Sequence, residues 1–283
     1  MPPGASAMLG ELEFIFILLA LAVPILAMSR VFKARTVVGP PRMLPEESTM
    51  TLTGIFLIGF TIWVFSGVTL RPVGARFLSA GHSLIAINAA AELIALCVLL
   101  WLNSKLRPRG LGQLGLAGRK LFSAPFLALA TAWAIFPLVY AASIVVEMVI
   151  TLTHHQMPPP HPILKQIEGS HSSLWTILMV VDAVVLAPLF EESLFRGHVQ
   201  TIISHLFRRS EKPSALARWI AIIITAMLFA GIHGQVAFLF PLFVLAVGLG
   251  YLYERTGNLW ASVMVHGLFN AIQITLFTAG AGK

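Results

Sequence analysis

An all-α, polytopic membrane fold is what this sequence predicts, and three observations predict it. Hydrophobic residues make up 57% of the chain and charged residues only 11%, whereas a soluble domain holds roughly 45–50% apolar and about 25% charged residues. Eight apolar stretches approach the roughly 20 residues that a bilayer requires: 12–29, 50–70, 83–102, 121–150, 173–190, 216–233, 236–253 and 259–279. Between them the basic residues gather in alternate loops, as the topology signal of a multi-pass protein requires.

Taken in order, the first stretch follows Glu11 and Glu13 and lacks a basic leader, which reads as a retained helix and not a cleaved signal. The second is an apolar run without a charge, and the third and fourth each hold one acid, Glu92 and Glu147, the latter close to a helix end where it reaches the interface. The fifth continues into 191–206, and Pro188 is expected to break the helix there. The sixth and seventh are separated by a hairpin of only a few residues, and the eighth closes the chain. Polar interruptions fall at 30–49, 103–120 and 153–172. Residues 1–172 form one region of four helices ending in a His/Pro-rich loop, and 173–283 form a second region that carries the motifs described below.

The net charge of +7 comes from 19 basic and 12 acidic residues. These cations lie in loops without interleaved aromatics, so they indicate topology and not nucleic-acid binding. One set of loops holds Arg30, Lys33, Arg35, Arg42, Lys105, Arg107, Arg109, Arg119, Lys120, Arg208, Arg209, Lys212, Arg218 and Arg255; the opposite set holds Arg71, Arg76, Lys165 and Lys283, and Arg196 completes the 19. The rule that positive loops stay inside places both termini outside the cytoplasm, in a protein integral to the cytoplasmic membrane of a prokaryote. A single cysteine, Cys97, excludes an internal disulfide and is expected to be a small apolar helix residue. His154, His155, His161 and His171 cluster in the proline-rich loop, where the prolines prevent a helical ligand array, and an extramembrane loop is expected.

Ionisable groups inside spanning segments are costly and mark function or helix pairing. Glu191, Glu192 and Arg196 fall within six residues at the end of the fifth stretch. On a helix, Glu192 and Arg196 share a face four residues apart and form a buried pair, which tolerates hydrocarbon better than either charge alone. Glu191 points elsewhere and keeps a carboxylate able to take a proton from water. Phe229 and His233, again four apart, end the sixth stretch. His266 and Asn270 share a face of the eighth and carry N–H donors for a developing oxyanion. Glu92 and Asp182 are read as bonds to neighbouring helices, with a water-lined cavity as the alternative.

Activated water needs a base, a group to orient it and donors for the tetrahedral intermediate. Glu191 with His233 supplies the first two, and His266 with Asn270 the third. No His-Glu-x-x-His pattern or Gly-x-Ser-x-Gly elbow is present. A zinc site from Glu191, His233 and His266 is the second chemistry these residues permit. A non-enzymatic membrane scaffold or immunity protein and a proton-coupled transporter using Glu92 or Asp182 are the competing functions. For His233 to meet His266, the hairpin after the sixth stretch must be sunk within the bilayer.

At Glu-Glu-x-x-x-Arg (191–196), Phe-x-x-x-His (229–233) and His-x-x-x-Asn (266–270), the chain resembles the CPBP family of intramembrane proteases, the type II CAAX prenyl endopeptidases also called the abortive-infection family. Phe195-Arg196-Gly197 and Glu254-Arg255-Thr256-Gly257-Asn258-Leu259-Trp260 extend the likeness, which covers 173–279. The resemblance implies eight transmembrane helices around a polar cavity, and a glutamate-dependent, metal-free endopeptidase. Its substrate would be a peptide or protein with a membrane-associated C-terminus. By motif position, Glu191 and His233 activate water, His266 and Asn270 form the oxyanion hole, and Glu192, Arg196 and Phe229 support them.

Overall fold

A computed structural model describes residues 49–72, 76, 80–153, 162–169, 172–207 and 215–281. The expected first span, the cations at 30–42 and 208–212, and the clustered loop histidines lie outside the described residues. Helices account for the ordered elements, with no strand among the described residues. Seven helices are long and apolar enough to cross a membrane. They are α1 (Thr49–Thr69), α2 (Ala80–Leu106), α5 (Ala124–Leu152), α7 (Ser173–Leu206), α8 (Ala215–Ile232), α9 (Val236–Thr256) and α10 (Leu259–Ala281). Three short helices, α3 (Leu111–Leu114), α4 (Gly118–Leu121) and α6 (Pro162–Glu168), lie in the connections.

Burial separates centre from rim. In α8 and α9, 44% of the span is buried within the protein, against 11% in α5, so α8 and α9 stand at the centre while α5 faces lipid with Phe126, Trp133 and Tyr140 exposed. One core joins Ile55 of α1 and Leu99 of α2 to Phe190, Leu194 and Phe195 of α7, Phe229 of α8 and Ala246 of α9. A second packs Ala124, Ala128 and Val139 of α5 against Leu245 and Leu249 of α9 and Ala261 and Val265 of α10. Apolar surface turned outward costs nothing in hydrocarbon, so close packing and internal hydrogen bonds hold such a bundle together.

The connection from α2 to α5 is strapped onto the turn between α9 and α10. Tyr253 donates from its hydroxyl to the Leu114 carbonyl at 3.2 Å, Asn258 donates to the Lys120 carbonyl at 2.8 Å, and Lys120 donates to the Gly257 carbonyl. Gly257 ends α9 with a positive φ of 56°, a conformation that favours glycine.

The long helix α7 departs from expectation at Pro188. It does not break there. Instead it runs from Ser173 to Leu206 and changes register twice, with π turns over Asp182–Leu186 and Phe195–Gln200. In the first turn the Ala187 N–H bonds the Asp182 carbonyl five residues back. The next donor in that register would be Pro188, which has no N–H, so the Ala183 carbonyl is left for another partner. Asn270 of α10 supplies it, donating from Nδ2 at 2.8 Å. One turn of α10 away, Gly267 packs so closely that a Cβ there would run into the Val184 carbonyl. The π turn thus absorbs the proline, and α10 covers the carbonyls that the proline frees.

Candidate active site

The Glu-Glu-x-x-x-Arg motif occupies the α-helical stretch Ala187–Leu194 and the turn after it, bracketed by the two π turns of α7. Such turns widen a helix by one residue and re-aim the side chains beside them. Glu192 and Arg196 form the expected pair, Oε1 to Nη1 at 2.8 Å, with both side chains fully buried. The guanidinium is used twice, since Nη2 also donates to the Ala246 carbonyl at 3.2 Å. One turn further along, Gln200 donates to the Gly250 carbonyl at 3.1 Å. Two side chains one turn apart therefore clip α7 onto two α9 carbonyls one turn apart.

Glu191 does not turn wholly away from Glu192. The Nδ1 of His266 stands 3.1 Å from Oε1 of Glu192, and its Nε2 stands 3.9 Å from Oε2 of Glu191. Adjacent residues on a regular helix diverge by about 100°, but both glutamates reach the same imidazole from α10. Glu191 is the more accessible of the two, its side chain 20% exposed against none for Glu192. Its Oε2 has no hydrogen-bond partner.

Phe229 is the common neighbour of the remaining groups. Its ring, fully buried, lies 4.9 Å from the His233 ring and 5.6 Å from the His266 ring, centroid to centroid, and 4.8 Å below the Arg196 guanidinium. His233 donates from Nδ1 to the Phe229 carbonyl at 2.8 Å; because a carbonyl only accepts, the proton sits on Nδ1 and Nε2 is a free acceptor when the ring is neutral. His233 and His266 are brought to one aromatic ring, that of Phe229. His233 lies one turn past a residue that touches His266, whereas α10 runs fifteen residues beyond His266, roughly 22 Å, to Ala281. The tip at Gly234, with a φ of 67°, therefore lies well inside the depth that α10 spans.

Asn270 sits on the face of α10 that carries His266, yet one amide N–H is engaged by Ala183. The amide keeps a second N–H. Glu92 of α2 and Asp182 of α7 lie within electrostatic reach of Glu191, and each has a buried carboxylate oxygen without a hydrogen-bond partner. Among the described residues, no three His, Cys, Asp or Glu side chains gather as a metal-binding group. Cys97 is free and exposed on α2.

Sequence reasoning missed several polar contributors. Arg218, read as a loop cation, is buried on α8 and donates from Nε to Oε1 of Glu254 at 2.8 Å. Gln200 joins that pair at 3.3 Å to Oε2. Asn103 and His198 bond each other at 3.2 Å. For His198 a signal was available, since an uncharged polar side chain inside an apolar span calls for a partner on another helix; Asn103 fell in the polar interruption that follows the third stretch.

Residues 173–272 match the family described as Type II CAAX prenyl endopeptidase Rce1-like, and the resemblance carried by the three motifs stands over that segment. The chain is 29% identical over 103 residues to the UPF0177 protein YbdI of Lactococcus lactis, covering 35% of this chain and 49% of that protein. It is 30% identical over 132 residues to an uncharacterized 24.3 kDa protein of Escherichia coli, covering 46% of this chain and 58% of that protein. The chain thus spans about half the length of these relatives. No solved structure matches.

Proposed function

We propose that this integral membrane protein, whose residues 173–272 carry the type II CAAX prenyl endopeptidase pattern, is an intramembrane endopeptidase that works through a carboxylate and not a covalent nucleophile. The observation that carries the reading is the approach of Glu191 to His266 at 3.9 Å, from a side chain 20% exposed whose oxygen facing the ring, Oε2, is buried without a hydrogen-bond partner. A water admitted between the two at a bent angle would lose a proton to Glu191. His233, its Nδ1–H taken by Phe229, offers Nε2 to orient that water.

Attack on the scissile carbonyl forms one C–O bond and an oxyanion. The second amide N–H of Asn270 and, when the ring is doubly protonated, the Nε2–H of His266 donate to it. Glu191 then returns its proton to the leaving amine as the C–N bond breaks. Glu192 holds Nδ1 of His266 and is itself held by Arg196, so the pair fixes the imidazole and takes no part in proton transfer. The substrate is a peptide or protein with a membrane-associated C-terminus, met within the bilayer, and no metal is needed. The two regions, 1–172 and 173–283, then serve as supporting helices and catalytic core. The protein sits in a prokaryotic cytoplasmic membrane with both termini outside.

A second reading is favoured by one observation: Glu192, Arg196, His233, His266 and Asn270 all bond other protein groups, as a purely structural cluster would. A scaffold or immunity protein built this way should tolerate Glu191→Gln, which keeps the size of the side chain. Cleavage of a peptide library by purified protein, with and without chelator, separates the two. The protease reading expects wild-type cleavage indifferent to chelator and none from Glu191→Gln.

A further inference from the structure

We infer that Asn103 and His198 are positioning residues for the Glu191–Glu192 pair, acting through the second π turn of α7. The kinetic part of this inference rests on the protease reading; the structural part does not. Asn103 belongs to α2, outside the segment that carries the family pattern.

The bonding fixes its own proton positions. Arg107 donates from Nη1 to Oδ1 of Asn103 at 3.0 Å, and Nδ2 of Asn103 donates to the Leu99 carbonyl at 2.7 Å. The amide therefore has one orientation, oxygen towards Arg107 and nitrogen towards α7. Its other Nδ2 hydrogen faces Nε2 of His198 at 3.2 Å, so Nε2 must accept. The ring proton then sits on Nδ1, which donates to the Ser193 carbonyl at 2.8 Å. Asn103, His198 and Ser193 are each wholly buried, so water cannot replace any of these bonds.

The carbonyl served is the one that follows Glu192. His198 lies five residues beyond Ser193, inside the π turn, and Thr201 likewise donates from Oγ1 to the Arg196 carbonyl five residues back, at 3.1 Å. Side chains thus bond one carbonyl just before the widened turn and one inside it. That turn sets how residues 191–194 face α10. An Asn that could only accept would draw the ring proton to Nε2, leave the Ser193 carbonyl without its donor, and loosen the peptide plane next to both glutamates.

The test is nitrogen NMR of protein labelled with ¹⁵N-histidine, with the His198 signals assigned by their loss in His198→Gln, together with amide hydrogen exchange over residues 191–201. The wild type should show Nδ1 protonated and Nε2 bare. Asn103→Asp should move the proton to Nε2 and speed exchange in this stretch about tenfold, the loss of one buried bond. In cleavage assays its kcat should fall on the order of tenfold to a hundredfold with KM within about twofold. His198→Gln, whose amide can reach the same carbonyl, should retain more kcat than His198→Leu. An unchanged tautomer in Asn103→Asp, or a moved proton with exchange and kcat unaltered, overturns the inference. A wild type without any proteolysis defeats the protease reading alone, and the tautomer and exchange then decide the positioning role.

Discussion

His266 and Glu192, 74 residues apart in the chain, meet through Nδ1 and Oε1 at 3.1 Å, and Glu191 faces the other ring nitrogen of the same histidine. Two neighbouring carboxylates bracketing one imidazole place an accessible acid beside a nitrogen whose orientation is already fixed. That division between a free carboxylate and a structural one underlies the predictions that follow.

Arg196→Met should destabilise the protein strongly. Removing one partner of a fully buried pair leaves an uncompensated charge and costs about 3–5 kcal/mol, and here the Ala246 carbonyl loses a donor as well. Arg196→Lys should recover only part of this, because a single ammonium cannot span the carboxylate and the carbonyl together. Unfolding in mixed micelles measures both; a midpoint like the wild type for Arg196→Met would contradict the pairing.

Asn270→Ala should lower stability by about 1–3 kcal/mol, the cost of orphaning a buried acceptor, separately from any effect on catalysis. The Ala183 carbonyl, stranded by Pro188, is the reason. Pro188→Ala in the same background should offset part of the loss, because it restores an N–H to that turn. If the two substitutions simply add, the proposed link between proline and asparagine fails.

The three motifs were legible because each places its residues on one helix at a spacing that periodicity exposes. Glu192 with Arg196 and Phe229 with His233 pair as their four-residue separation demands. The spans were equally legible, since hydrocarbon leaves its signature in composition. What lay hidden were partnerships between helices, such as Arg218 with Glu254 and Asn103 with His198, because one polar residue does not say which distant one it meets. Pro188 was misread for a related reason: proline announces a lost hydrogen bond, but whether the helix breaks or shifts register depends on a neighbour able to cover the freed carbonyl. Gly267 and Asn270, 79 and 82 residues downstream, provide that cover.

The basic connections should face the cytoplasm. Lys105, Arg109, Arg119 and Arg255 are exposed at one end of the described helices, and Arg71, Arg76 and Lys165 at the other. In a Cys97→Ser background, Arg255→Cys should react with a membrane-impermeant maleimide in inverted vesicles only, and Lys165→Cys in intact spheroplasts only. Labelling of Arg255→Cys in spheroplasts would reverse the assigned orientation.

The most direct measurement is turnover of a peptide library by purified wild-type protein and by Glu191→Gln, each checked for folding by its thermal midpoint. Wild type should cleave, and the variant should lose at least about a hundredfold in kcat/KM, roughly 2.7 kcal/mol of transition-state stabilisation, at an unchanged midpoint. Cleavage by Glu191→Gln at a rate near the wild type would show that this carboxylate does not activate the attacking water.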